Sequence, residues 1–193
     1  MIFGPKKNPE LKNFADLLCQ TVTQLFIDRG DIKFSKEPEI VKKDIIEYQG
    51  KMRADGMEKF NSPTYVSTLN YYVNAKDMEN NKALGALVVY IEQSFMAILM
   101  KKLKYPTVDD ENEEALKDSC GTLCNIIGGA FKSAISQKGY RELEMSHFLT
   151  YRNTASKGVD FCFSEYDKYE LSFVIDNEKR MVLEVSMGIV PKS

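Results

Sequence analysis

Hydrophobic residues recur at helical spacing in three parts of the chain. Apolar positions three and four residues apart predict a first helix from Pro9 to about Asp28, which Gly30 ends. The same spacing predicts a second helix from Glu92 to Lys104, before Pro106, and a long third helix that ends at Gly139. We therefore expect helices to cover one face of whatever the remaining segments build.

Other segments alternate between apolar and polar residues, which is typical of strands. Residues 65–73 and 84–91, joined by a polar run, predict one hairpin. After the third helix we expect extended segments at about 142–151, 159–164, 169–175 and 180–189. Asp176 and Asn177 join the last two of these as a second hairpin.

This order of elements predicts an α+β fold in which an antiparallel sheet packs against helices as a two-layer sandwich. Residues 32–61 fit the pattern poorly, because Val41, Ile45 and Ile46 could belong to a strand or to a helix. We interpret residues 1–193 as a single domain and residues 32–61 as an insertion of uncertain structure.

Composition narrows the classes of function. The chain has 193 residues, of which 44% are hydrophobic and 28% are charged, and this suits one compact domain with a substantial core. Its net charge of -2 gives no electrostatic reason to bind nucleic acid or an anionic membrane. The first residues lack the layout of a signal peptide, and Glu92 and Gln93 interrupt the richest apolar stretch. We expect a cytoplasmic protein with neither a nucleic-acid nor a membrane partner.

The sequence offers few ligands or nucleophiles. Cys120 and Cys124 are expected to be buried thiols on the core side of the third helix, and no Cys-x-x-Cys pair occurs. The single histidine, His147, lies in a predicted strand and has no partners for a zinc site, so we assign it no role as ligand or base. Residues 109–114 are acidic and precede a helix, so capping explains them better than metal binding does. We expect no metal and no cofactor of the chain's own.

The third helix carries two different faces. Projection at about 100° per residue places an apolar band on one side: Leu116, Cys120, Leu123, Ile127, Phe131 and Ala134. It places a stripe of small and polar residues on the other: Asp118, Thr122, Asn125, Gly129, Lys132 and Ser136. The adjacent glycines Gly128 and Gly129 cost about 2 kcal/mol relative to alanines. Either a partner's close approach or close packing within the fold would account for them.

Around Asn125 the chain resembles the CheC/CheX/FliY family of chemotaxis phosphatases. The signature helix of that family has Asp or Ser, Glu four residues later, Asn three residues after the Glu, and Gly three residues after the Asn. Asp118, Asn125 and Gly128 match this pattern, whereas Thr122 stands at the Glu position. A single copy of the signature makes the chain most similar to the CheX type, and the resemblance in element order extends from Tyr65 to the C-terminus.

The resemblance implies that the protein docks on a phosphorylated CheY-like receiver domain of a two-component system and accelerates hydrolysis of its aspartyl phosphate. Asn125 would orient the attacking water, and Thr122 would lie beside it. The partner-binding residues would be Asp118, Gly128, Gly129 and Lys132. The partner would supply Mg²⁺ and the phosphoryl group. CheX-type proteins pair through sheet edges, which implies a homodimer.

Thr122 keeps a second function open. Threonine cannot form the ion pair that the family's glutamate makes with a lysine of the regulator, although Asp118 or Glu114 could offer a carboxylate from the same face. The alternative is a non-catalytic binding or adaptor module of the same fold. A metabolic enzyme of unrelated chemistry has little support, because the residues do not assemble a site of their own.

Overall fold

The computed structural model describes residues 6–106 and 109–193 of the chain. The helices are α1 (Leu11–Gly30), α2 (Met57–Phe60), α3 (Ala75–Glu79), α4 (Met96–Lys102) and α5 (Glu113–Gln137). The strands are β1 (Glu39–Asp44), β2 (Glu47–Tyr48), β3 (Lys51–Met52), β4 (Thr64–Tyr72), β5 (Gly85–Glu92), β6 (Glu144–Met145), β7 (Leu149–Arg152), β8 (Asp167–Ile175) and β9 (Glu178–Met187). A short 3₁₀ turn over Gln93–Phe95 leads into α4.

The main sheet is antiparallel and is built around the two predicted hairpins. Its strand order is β1-β8-β9-β5-β4, and both β6 and β7 pair with the outer side of β4. The turn between β8 and β9 places Asp176 and Asn177 at positive φ, 52° and 66°, which suits the right-handed twist of the strands that it joins. Both hairpins are thus confirmed.

The long helices α1 and α5 pack together over one face of this sheet, with α4 beside them. Their apolar bands and the strand residues beneath them form the larger core, in which Leu18, Leu69 and Phe131 are almost completely buried. Burial of these side chains supplies the main driving force for the packing. The predicted α+β fold, with helices on an antiparallel sheet, is confirmed.

The other face of the sheet is covered as well, so a two-layer sandwich describes only part of the fold. The β2–β3 hairpin, α2 and residues 153–166 lie over it and enclose a second core. That core consists of Met52, Ala54, Val66, Ala86, Val88, Tyr90, Ala155, Val159, Phe161 and Val182. Within residues 32–61, β1 joins the main sheet beside β8, Ile32 and Phe34 pack into the larger core, and Met52, Ala54 and Phe60 pack into the second core.

The strand expected at 159–164 does not form. Val159 makes an isolated bridge with Met52, and the segment otherwise runs as irregular chain. Val159 and Phe161 are nevertheless buried, because they fill the second core. The apolar and polar residues alternate here because a covering loop buries Val159 and Phe161, and not because the segment pairs with the sheet.

A buried ion cluster links the segments that cover the second core to the sheet. Glu184 on β9 is fully buried, and its carboxylate forms ion pairs with the Nζ atoms of Lys168 at 2.5 Å and Lys59 at 3.3 Å and accepts a hydrogen bond from the Tyr90 hydroxyl. Lys59 also lies 2.5 Å from a carboxylate oxygen of Glu170. Burial and the neighbouring Glu184 carboxylate raise the pKa of Tyr90 well above its ordinary value. Since Lys59 lies on α2, the cluster connects this short helix to β8 and β9.

In the parts of the chain that the structure describes, no helix is long and apolar enough to cross a membrane.

Candidate functional site

The helix that carries the predicted site, α5, is capped by a side chain at its start. The Asn112 side-chain oxygen accepts from the backbone N–H of Ala115 at 3.1 Å, and Glu113 and Glu114 occupy the first turn. Carboxylates in this position interact favourably with the helix dipole. The interpretation of the acidic run as a capping region is therefore confirmed for these two glutamates.

The apolar band of α5 is buried as predicted, with only Ala134 half-exposed. Cys120 and Cys124 lie inside the larger core, and burial raises the pKa of the Cys124 thiol to about 12. Burial also raises the pKa of Cys120 well above its ordinary value. Both thiols remain protonated near neutral pH and serve as small apolar side chains, as expected.

The polar stripe of α5 faces away from the core. Asp118, Thr122 and Asn125 are exposed, and none of their side chains makes a hydrogen bond or ion pair with another residue in the described ranges. With a rise of about 1.5 Å per residue, Thr122 lies about 4.5 Å and Asp118 about 10.5 Å from Asn125 along the helix axis. The structure thus brings the three predicted residues onto one accessible surface.

Two charged side chains on or beside this stripe form ion pairs with other residues. Lys132 is half-buried, and its Nζ lies 3.5 Å from a Glu142 carboxylate oxygen. Glu114, one of the two carboxylates that could replace the signature glutamate, lies 3.6 Å from the Nζ of Lys117. Of the two carboxylates, Asp118 is therefore closer to Thr122 along the helix, and it forms no ion pair with another described residue.

The adjacent glycines differ sharply in their surroundings. A Cβ on Gly129 would meet nothing within 4 Å, so this glycine opens onto the exposed stripe. A Cβ on Gly128 would lie 2.6 Å from Cδ2 of Leu69, and the Gly128 carbonyl accepts from the Tyr71 hydroxyl at 2.8 Å. Gly128 is buried and packs α5 onto β4, which corrects our expectation that it contacts a partner.

Sequence reasoning missed the segment that runs beside α5. Phe148 covers Gly121 so closely that a Cβ on Gly121 would overlap the Phe148 ring. Farther along, the Arg152 Nε lies 3.7 Å from a Glu113 carboxylate oxygen. A glycine at position 121 inside a helix was the local signal for such a contact, but the sequence does not indicate which residue fills the space.

No protein-family model matches the sequence, and no curated protein matches it. Solved structures do match. A CheC-like superfamily protein from Shewanella sp. PV-4 has a TM-score of 0.55 at 16% identity, over 90% of this chain and 96% of that chain. CheX from Vibrio vulnificus has a TM-score of 0.55 at 14% identity, over 90% and 97%. The chain has the fold of the CheC/CheX/FliY chemotaxis proteins.

One further structure with this CheX-like fold is a complex. CheX from Borrelia burgdorferi, solved with CheY, BeF3 and Mg²⁺, has a TM-score of 0.54 at 12% identity and covers 91% of this chain and 98% of its own. At such identities the similarity shows the shared fold, while the function depends on the site residues.

The CheX-like chain offers no metal centre of its own in the described parts. No group of three histidine, cysteine, aspartate or glutamate side chains there could hold a metal ion. His147 is exposed, and it lies in the connection between β6 and β7 and not in a strand as predicted.

Proposed function

We propose that this protein docks on a phosphorylated CheY-like receiver domain through the exposed stripe of α5 and accelerates hydrolysis of the aspartyl phosphate. The observation that carries the proposal is the position of Asn125, whose unpaired carboxamide projects from the surface of a helix that matches the family signature at Asp118 and Gly128. The shared fold, which includes a CheX solved with CheY, supports the choice of partner.

The chemistry that a carboxamide can supply is positional. Its N–H₂ group donates and its oxygen accepts, so Asn125 can hold a water in line with the phosphoryl group of a docked receiver. The receiver's Mg²⁺ and aspartyl phosphate provide the electrophile and the charge stabilisation. This role asks the chain only for a correctly positioned carboxamide, because the receiver carries the reacting groups.

Thr122 weakens the proposed anchor. A threonine hydroxyl cannot replace a carboxylate in an ion pair with a lysine, and a lost charge pair at an interface costs several kcal/mol. Asp118 is the carboxylate that we propose as a substitute. It lies about 6 Å along the helix axis from Thr122, so the receiver would need its cation about one helical turn farther toward the start of α5.

The same substitution favours the alternative function, a non-catalytic binding module. In that case the α5 stripe binds its partner regardless of phosphorylation, and no phosphate is released. The two functions share the surface and differ in the contribution of Asn125.

The experiment compares phosphate loss from receiver domains of the same organism, charged with acetyl phosphate in the presence of Mg²⁺, with and without the protein. We expect the protein to accelerate the loss for at least one receiver and Asn125→Ala to abolish the acceleration. Asn13→Ala is the matched control, because Asn13 is also an exposed asparagine on a helix but lies on α1, outside the stripe. Acceleration that survives Asn125→Ala refutes the assigned role. Binding without acceleration supports the alternative.

A further inference from the structure

We infer that Met145 and Phe148 form an apolar ledge beside Asn125, and that the receiver contacts this ledge with an apolar side chain next to its phosphorylation site. The inference rests on the proposed function and adds a specificity-determining contact to it. We use the term apolar ledge for these two side chains only.

The position of the ledge follows from two glycines that flank Asn125 along the helix. Gly121 precedes Asn125 by four residues, and Gly128 follows it by three. Both therefore lie about 40° to 60° to the same side of Asn125 around the helix axis. Phe148 packs on Gly121, and the Met145 sulfur would lie 3.1 Å from a Cβ on Gly128. The ledge thus extends past Asn125 on one side.

The segment that carries the ledge is held in place before any partner arrives. The Ser146 backbone N–H donates to the Asn70 carbonyl at 2.9 Å, and the Ser146 hydroxyl oxygen accepts from the Asn70 N–H at 2.9 Å. On either side of Ser146, β6 and β7 pair with β4. Because the side chains are already positioned, a partner that buries them pays little additional ordering entropy.

The ledge is also incompletely buried. Met145 and Phe148 are both half-exposed, although each packs closely against α5. Methionine and phenylalanine are enriched in the buried centres of protein interfaces, where a few well-packed side chains contribute most of the binding energy. A polar stripe for the reacting group beside a fixed apolar surface is the arrangement expected of an interface with a matching apolar residue on its partner.

The test separates docking from catalysis by measuring the stimulated rate over a range of protein concentrations. We expect Phe148→Ala to raise the concentration for half-maximal stimulation at least fivefold while leaving the maximal rate nearly unchanged. Asn125→Ala should instead lower the maximal rate. Phe163→Ala is the control, because the Phe163 ring is 70% exposed and packs against Phe161 of the second core, away from α5.

A second measurement does not depend on how well a ledge variant folds. A photo-crosslinking amino acid replaces the exposed His147, which lies next to Phe148, in one sample and Phe163 in another. We expect the receiver to be labelled from position 147 and not from position 163. Thermal unfolding monitors the fold of every variant.

Each outcome decides a different point. If the protein stimulates a receiver, but Phe148→Ala leaves half-saturation unchanged or position 147 fails to label the receiver, the ledge is not a contact and the proposed function stands. If Phe148→Ala lowers only the maximal rate, the ring acts by positioning α5 and the inference is refuted. If the wild-type protein neither stimulates nor binds any receiver, both proposals fail.

Discussion

Replacing Gly128 and Gly129 by alanine, one at a time, should change the stability of the protein in opposite directions. In the interior of an exposed helix, alanine is about 1 kcal/mol more favourable than glycine. A Cβ on Gly129 meets nothing within 4 Å, so Gly129→Ala should gain this amount without a packing cost. The free energy of unfolding should therefore rise by about 1 kcal/mol.

For Gly128→Ala the same gain is opposed by two costs. The new Cβ would lie 2.6 Å from Leu69, which is 1% exposed and has little room to move, and overpacking of this kind costs about 1 to 3 kcal/mol. It would also lie 3.2 Å from the Tyr71 hydroxyl, whose hydrogen bond to the Gly128 carbonyl is worth about 1 kcal/mol. The net expectation is a loss of about 1 to 3 kcal/mol.

Thermal and urea unfolding of the two variants beside the wild-type protein measure this difference. For a chain of this length, 1 kcal/mol corresponds to about 2 to 4 °C in Tm, so Gly129→Ala should melt higher and Gly128→Ala lower than the wild type. Unchanged m-values would show that the shifts reflect stability and not a loss of two-state unfolding. Shifts of the same sign, or a loss of stability in Gly129→Ala, would refute the assignment of one glycine to the interior and the other to the surface.

Three further changes test the site and the two cores. Thr122→Glu should lower the protein concentration that gives half-maximal stimulation of receiver dephosphorylation by about tenfold or more, because a charge pair with the receiver is worth at least about 1.5 kcal/mol. An unchanged concentration would argue against the family's docking mode. Glu184→Ala should lower the free energy of unfolding, measured with urea, by about 3 to 5 kcal/mol, because the nearly buried Lys168, with 8% of its side chain exposed, would lose the carboxylate that it contacts. An unchanged free energy of unfolding would show that the ion cluster does not hold the covering segments on the sheet. Burial raises the pKa of the Cys124 thiol to about 12, so Cys124 should resist iodoacetamide at pH 8 until the protein unfolds. The half-buried Cys162 should react before it in the folded protein, and mass spectrometry of the peptides would detect the reverse order.

The faces of α5 could be predicted because helical periodicity is a local property. Leu116 and Phe131 fall in one band and Asp118 and Asn125 in the opposite stripe, and the structure buries the first pair and exposes the second. The hairpin at Asp176 was equally accessible, since its turn residues and flanking strands are adjacent in sequence. These features needed no knowledge of distant contacts.

Residues 32–61 could not be predicted for the opposite reason. In β1 only Ile40 is half-buried and the remaining residues are exposed, so the strand carries no periodic pattern and exists because β8 pairs with it. The short helix α2 contributes Lys59 to a buried ion cluster whose carboxylates lie more than 100 residues away in sequence. Such segments are stabilised by tertiary contacts that outweigh local propensity.

At the site, the sequence identified the stripe but not its boundary. The helical projection placed Gly129 and not Gly128 on the stripe, but only the position of β4 beneath the helix shows that a Cβ at Gly128 has no room. The contact between Phe148 and Gly121 joins residues 27 positions apart, and nothing in either local pattern specifies it. The expected homodimer and the roles of Asp118 and Lys132 in partner binding stay predictions.

The glycines of α5 together determine how a partner can reach Asn125. Because Gly121 and Gly128 have no side chain, Phe148 and Met145 pack closely against the helix. Their side chains border Asn125 on that side. Thr122 and Gly129 lie about 40° to 60° to the other side, and their small side chains leave that side open. A partner can therefore reach Asn125 over Thr122 and Gly129, and it would meet the ledge on the far side of Asn125. A glutamate at position 122 would project into this open side, and the threonine found there provides neither the charge nor the bulk of a glutamate along the route of approach.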